Sequence, residues 1–216
     1  MSRARSAFTL LEILVSLALV GMIFLAMNTF IFSMGELWGK NTDVRLFDQH
    51  VNAVTRFLGQ TLATATYPPS ARASSAPVYP EQITPATGGA DNLITFDLPA
   101  GLRLLNWPDR PLPEVTCSLQ VRPNDGLYLL WHSRLEMHYA DEPPREVKLT
   151  PFCTALGYDY YDDNFKKWTT DTALQNDNTG QPTPPQRLRL YFQYGKLKRE
   201  TIVPIPAAVQ GTPVYP

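Results

Sequence analysis

The sequence predicts an α+β protein: one long N-terminal helix, membrane-spanning in its first half, packed on a largely antiparallel β-sheet domain. Three observations lead there. Ile13 to Met34 carries no charge, and apolar residues from Val44 to Leu62 recur at steps of three and four. After Leu93 the pattern changes to short alternating runs separated by turn residues.

The apolar run comes first. Its positions from Ile13 to Met34 rise about 33 Å as a helix, against a hydrocarbon core of roughly 30 Å. Arg3 and Arg5 precede it, whereas Glu36, Lys40, Asp43 and Arg45 just after it sum to zero. The positive-inside rule therefore keeps the N-terminus in the cytoplasm and sends the rest across. A secretory signal peptide would have a shorter apolar region and a small-x-small cleavage site. This run is long and leads into Gly35-Glu36-Leu37-Trp38. Against a plain signal anchor stands Glu12, a carboxylate at the threshold of the run, behind Phe8, Leu10 and Leu11. An ionised group near lipid costs a few kcal/mol unless paired, which makes Glu12 a candidate functional residue. The bland alternative is a Glu that snorkels to head groups.

Beyond the run, Val44, Phe47, Val51, Val54, Leu58 and Leu62 form one stripe, with Asp43, Arg45, Asp48, Gln49, Asn52 and Arg56 at other positions. That is the pattern of an amphipathic helix. One helix over about Thr9–Ala65 accounts for both segments. Gly35 and Gly39 are its weak points, since an interior Gly costs about 1 kcal/mol relative to Ala. A membrane helix, linker and separate soluble helix is the alternative. The organisation that follows is a leader at 1–7, the helix at 8–65, a connection at 66–92 and a β-rich domain at 93–216.

Residues 67–91 hold five prolines and two glycines with little apolar content, and read as an exposed connection. Leu93–Phe96 reads as a strand. Val115, Cys117, Leu119 and Val121 share one face of the next, and Asn124-Asp125-Gly126 turns the chain into Leu127–Trp131. Leu188, Leu190, Phe192 and Tyr194 alternate with polar neighbours before Gly195-Lys196 turns into Leu197–Ile205.

Composition excludes several functions. The formal charge is −1, with 19 basic against 20 acidic residues, so no basic surface exists to hold nucleic-acid phosphates. His50, His132 and His138 are scattered without metal-ligand spacing. No Gly-x-Ser-x-Gly elbow and no phosphate-binding Gly loop is present. Nothing calls for catalysis, a metal or a cofactor. The acidic stretch Asp159, Asp162, Asp163, Asp171 and Asp177, with Asn164, Asn176 and Asn178, lacks the EF-hand order of calcium ligands and reads as solvated loop acids. Tyr158, Tyr160, Tyr161, Phe165 and Trp168 fit either strand packing or a recognition patch, with packing the commoner use. Cys117 and Cys153, the only cysteines, could form one disulfide in an oxidising compartment, contributing roughly 3–4 kcal/mol in the chain-entropy picture, or remain two buried thiols.

The segment AFTLLEILVSLALVGMI resembles the N-terminal motif of type IV prepilins, in which a short basic leader is removed before a Phe and a Glu lies fifth in the mature chain. Glu12 is fifth counting from Phe8. The resemblance implies a pilin-like fold, cleavage between Ala7 and Phe8 by a prepilin peptidase, and methylation of the new Phe8 amine. It also implies retention in the inner membrane and assembly into a fibre through Glu12. The family's usual residue before the cut is Gly; here it is Ala7. An amine and a carboxylate are each unstable alone in an apolar medium, so pairing Phe8 of one subunit with Glu12 of its neighbour removes both penalties.

Residues 114–206 resemble the J-class minor pseudopilins of type II secretion systems. The matching positions are Tyr160, Tyr161, Asp162 and Trp168, with Pro185 before the penultimate strand. This implies a subunit at or near the tip of a pseudopilus, its C-terminal domain in the periplasm. Its partners would be other minor and major pseudopilins, with which it helps to initiate the fibre and to export folded proteins. The same N-terminus serves minor type IV pilins and competence pseudopilins.

Overall fold

The structure is a computed structural model that describes residues 9–67, 76–86, 88–102, 104–105, 112–139 and 142–206. Two compact units make up the chain, Met1–Phe47 and Asp48–Pro216. Helix α1 spans Leu10–Ala63, close to the single helix that the sequence predicts over 9–65.

In the first unit, Leu10–Glu36 is long and apolar enough to cross a membrane, and none of its side chains is buried. An all-round apolar surface is what lipid surroundings require of a helix. Two hydroxyls within it are satisfied by its own backbone: Ser16 Oγ donates to the Glu12 carbonyl at 2.7 Å and Thr29 Oγ1 to the Leu25 carbonyl at 2.8 Å. Such bonds remove the cost of setting a hydroxyl in hydrocarbon.

The second unit holds two antiparallel sheets. In the first, β1 (Val78–Ile83), β2 (Asp91–Leu98), β3 (Val115–Arg122), β4 (Gly126–Ser133) and β5 (Arg145–Thr150) lie in chain order. In the second, β6 (Cys153–Asp162), β7 (Lys167–Asp171), β8 (Arg187–Tyr194) and β9 (Leu197–Pro204) are ordered β7-β6-β8-β9. Alternation supplies the core. Ile94, Phe96, Leu119, Leu127 and Leu129 of the first sheet are buried, as are Leu188, Leu190, Phe192 and Val203 of the second. Val51, Val54, Leu58 and Leu62 on α1 are buried too. Polar contacts fix this part of the helix: Thr55 Oγ1 lies 2.9 Å from Thr201 Oγ1, Arg199 Nε donates to Asp48 at 2.7 Å, and His50 Nε2 is 2.8 Å from Thr150 Oγ1.

The connection predicted over 66–92 needs correction. Its residues Val78–Ile83 form β1, paired with β2 from Asp91 onward, and Val78 is fully buried. Two prolines in and beside the strand hide it from a sequence reading. The structure tolerates Pro80 because β1 is an edge strand, where a missing N–H need not meet a partner. β5 is the other edge of that sheet, and its charged sequence REVKLT discourages pairing with further strands.

The β3–β4 turn falls where the sequence places it. Asp125 N donates to the Arg122 carbonyl at 3.1 Å, and Asn124 and Gly126 have φ of 62° and 116°. Only Gly fits the last position, since a Cβ there would stand 2.1 Å from the Thr150 carbonyl oxygen.

Candidate functional site

The sequence directs attention to the start of α1. Ala7 and Phe8, the residues flanking the expected cut, lie outside the described residues. Glu12 lies in the first helical turn and is engaged with Thr9. The Thr9 backbone N–H donates to Glu12 Oε2 at 3.3 Å, and the Glu12 backbone N–H donates to Thr9 Oγ1 at 3.4 Å. The Thr9 hydroxyl also donates to Glu12 Oε2, at 3.4 Å. This is a capping box, in which two of the backbone donors left over at a helix start are satisfied reciprocally. A carboxylate is favoured there by the positive end of the helix dipole.

Thr9 is the partner of Glu12 that sequence reasoning misses, although the pattern Thr-x-x-Glu at 9–12 announces it. Its contacts give Glu12 a partner on its own chain before any second subunit arrives. A carboxylate can accept about four hydrogen bonds, so Glu12 retains capacity for a cation while it caps the helix. Removal of residues 1–7 would place an ammonium on the residue next to Thr9.

Residues 2–28 match the prokaryotic N-terminal methylation motif. The match spans the basic leader, Phe8, Glu12 and the apolar run as far as Asn28. It supports a type IV pilin-like subunit that a prepilin peptidase processes, held by a single-pass membrane anchor. No curated protein and no solved structure matches the chain.

The remaining sequence-predicted residues are dispersed through the second unit. Cys117 on β3 and Cys153 on β6 are both buried and both free thiols. Burial pushes both up from the ordinary thiol range, Cys117 far up and Cys153 to about 11. Neither is set up as a reactive thiolate.

Three acids of the acidic stretch are spent on structure. Asp159 has no exposed surface and accepts from Arg189 Nε at 3.0 Å, Arg189 Nη2 at 2.8 Å and Thr170 Oγ1 at 2.7 Å. Burial would raise its pKa, but the hydrogen bonds from Arg189 and Thr170 outweigh burial and hold it below the ordinary carboxylate range. Asp162 Oδ1 accepts from the backbone of Asn164 and Phe165 at 2.9 and 3.1 Å. Asp177 Oδ1 accepts from Thr179 N, Thr179 Oγ1 and Gln181 N. Among the described residues, no group of three or more His, Cys, Asp or Glu could hold a metal ion.

The aromatic residues divide. Tyr158 and Tyr160 are buried, and the Tyr160 hydroxyl donates to the Thr183 carbonyl at 3.1 Å while accepting from Gln175 N at 3.0 Å. Tyr161 and Trp168 stand opposite each other on β6 and β7 and are partly exposed. The Arg187 guanidinium lies 3.6 Å from the Trp168 ring centroid. Pro185 is buried just before β8.

A second polar network, which the sequence does not announce, covers β2 and β3. The buried Asp97 accepts from Arg134, Thr116 and Tyr79 at 2.9, 2.7 and 2.9 Å. Burial works against charge on Arg134, yet the hydrogen bonds it donates to Asp97 keep its pKa above the ordinary value.

Proposed function

We propose that the chain is a minor pseudopilin at or near the tip of a type II secretion pseudopilus, a structural subunit that helps to initiate the fibre for protein export. Its precursor is cut between Ala7 and Phe8, Phe8 is methylated, and the β-rich domain, from β1 onward, lies in the periplasm while residues 13–34 stay in the inner membrane. In the fibre, Glu12 accepts the Phe8 amine of a neighbouring minor or major pseudopilin. The observation that carries this reading is the placement of Glu12 at the head of a lipid-facing helix within the methylation motif. The resemblance carried by Tyr160, Tyr161, Asp162 and Trp168, with Pro185 before β8, supports the J-class reading.

The finer reading is tested by affinity capture of the membrane-extracted chain from cells whose secretion machinery is intact. Recovery of minor pseudopilins in near-equal amounts, together with loss of export when the chain is deleted, is the expected result. Capture with pilus or DNA-uptake subunits instead, with export unaffected, would reassign the chain to one of those systems.

A further inference from the structure

The hairpin of β6 and β7 ends on an exposed aromatic and basic surface. Tyr161 and Trp168 face each other across the two strands with ring centroids 5.1 Å apart, and each is 37% exposed. Phe165, in the turn between them, is 73% exposed. The turn that presents it is held by Asp162 Oδ1, which accepts from the Asn164 and Phe165 backbone N–H groups.

Arg187 departs from the pattern of the other arginines on strands. Arg122, Arg145, Arg189 and Arg199 each hold a carboxylate within 2.8 Å, whereas the Arg187 side chain makes no ion pair and no hydrogen bond among the described residues. Asp159, which Arg187 helps to keep ionised, is already taken by Arg189 and Thr170. The Arg187 guanidinium lies instead over Trp168, 3.6 Å from the ring centroid. A guanidinium stacked on a ring keeps its N–H donors for a ligand and has already given up part of its side-chain freedom. Lys166 and Lys167 add two cations at the turn, against Asp163 and the engaged Asp162. With Arg187 the local surplus is positive.

We propose that Tyr161, Trp168 and Arg187 form a docking surface for an acidic segment of a partner protein. A carboxylate of that segment takes two N–H donors of Arg187 side by side, and its apolar neighbours cover the exposed parts of Tyr161, Phe165 and Trp168. Trp, Tyr and Arg are the residues that dominate protein–protein hot spots. The unmet guanidinium sets the sign of the partner, and its planar fork selects a carboxylate. Arg187 also covers a face of the Trp168 ring on which a sugar would stack, which favours a polypeptide over an acidic polysaccharide. The proposal goes beyond the fibre reading and does not depend on it.

The test is selection of phage-displayed random peptides on the full chain in detergent micelles, after clearing the library on empty micelles. Selected peptides should be enriched in acidic residues next to apolar ones. In fluorescence anisotropy with the synthetic peptides, Arg187→Gln should weaken binding about tenfold or more, the span of a hydrogen bond to a charged group. Neutralising the peptide's acid should do the same, and Trp168→Leu should weaken binding with the guanidinium in place. Arg187→Lys, which keeps the charge near Asp159 and so disturbs the fold least, should still lose about threefold or more because it lacks the fork. Selected peptides no richer in acids than the library would overturn the proposal. So would peptides that bind Arg187→Gln or Arg187→Lys as tightly as wild type. Binding of polygalacturonate in place of any peptide, lost in Arg187→Gln, would give the surface to a polysaccharide and overturn it as well. None of these outcomes touches the fibre reading, which is decided by processing between Ala7 and Phe8.

Discussion

Thr9 and Glu12 close on each other at the head of α1, with the Thr9 N–H 3.3 Å from the Glu12 carboxylate and the Glu12 N–H 3.4 Å from the Thr9 hydroxyl. Under the proposed function the same carboxylate caps its own helix and receives a cation from a neighbour. The two roles separate by substitution. Glu12→Gln keeps an acceptor for the cap and removes the charge, so membrane insertion and cleavage should be unchanged while co-purification with other pilin-like subunits falls about tenfold or more. Glu12→Val should behave the same way in the pull-down. Thr9→Val removes only the cap, at about 1 kcal/mol, and should leave co-purification within about twofold of wild type. Equal loss in Thr9→Val and Glu12→Gln would assign Glu12 to capping alone.

Asp159 has no solvent exposure and depends on Arg189 for its charge balance. Arg189→Met removes the guanidinium and strands a buried carboxylate, at a cost of about 3–5 kcal/mol. Replacing both partners, Asp159→Leu with Arg189→Met, should recover most of that loss. Urea denaturation of the detergent-extracted proteins measures both; a double variant no better than the single one would refute the stranded-charge account.

The same pair sets an acid limit. The folded-state pKa of Asp159 is lowered, so its contribution to stability is fully present above the ordinary Asp value of about 3.9 and is lost as pH falls below it, through the folded-state value. Glu136, whose hydrogen bond from Arg145 likewise lowers its pKa, acts in the same direction. Denaturation midpoints should be flat down to about pH 5 and decline below about pH 4. The decline should be shallower in the Asp159→Leu, Arg189→Met double variant.

Leu58 lies at the contact of α1 with the sheets of its unit and is fully buried. Leu58→Ala should cost about 2–5 kcal/mol, lowering Tm by roughly 5–15 °C. Gly126→Ala should be destabilising for a different reason, since its Cβ would overlap the Thr150 carbonyl at a φ of 116°. The affected contact is between the β4 start and the β5 end, so hydrogen exchange should quicken there first.

Legibility in the sequence follows from how each signal is encoded. The apolar run, the stripe from Val51 to Leu62 and the β3–β4 hairpin are local patterns, and the structure carries each where the sequence places it. β1 is illegible because Pro80 argues against a strand, and only the edge position of Val78–Ile83 makes it acceptable. The partnerships of Asp97 with Arg134 and Asp159 with Arg189 join residues 37 and 30 positions apart, and no spacing rule reaches that far. Glu12 stands out as a charge against lipid, while its partner Thr9 is legible only when the pattern at 9–12 is read as a cap rather than as a stray acid.

Intact mass of the protein extracted from its native membrane tests the central claim most directly. The account predicts a chain that begins at Phe8, lacks residues 1–7 and carries one added methyl group. A chain that still begins at Met1, with Arg3 and Arg5 in place, would contradict it and leave α1 as a plain signal anchor.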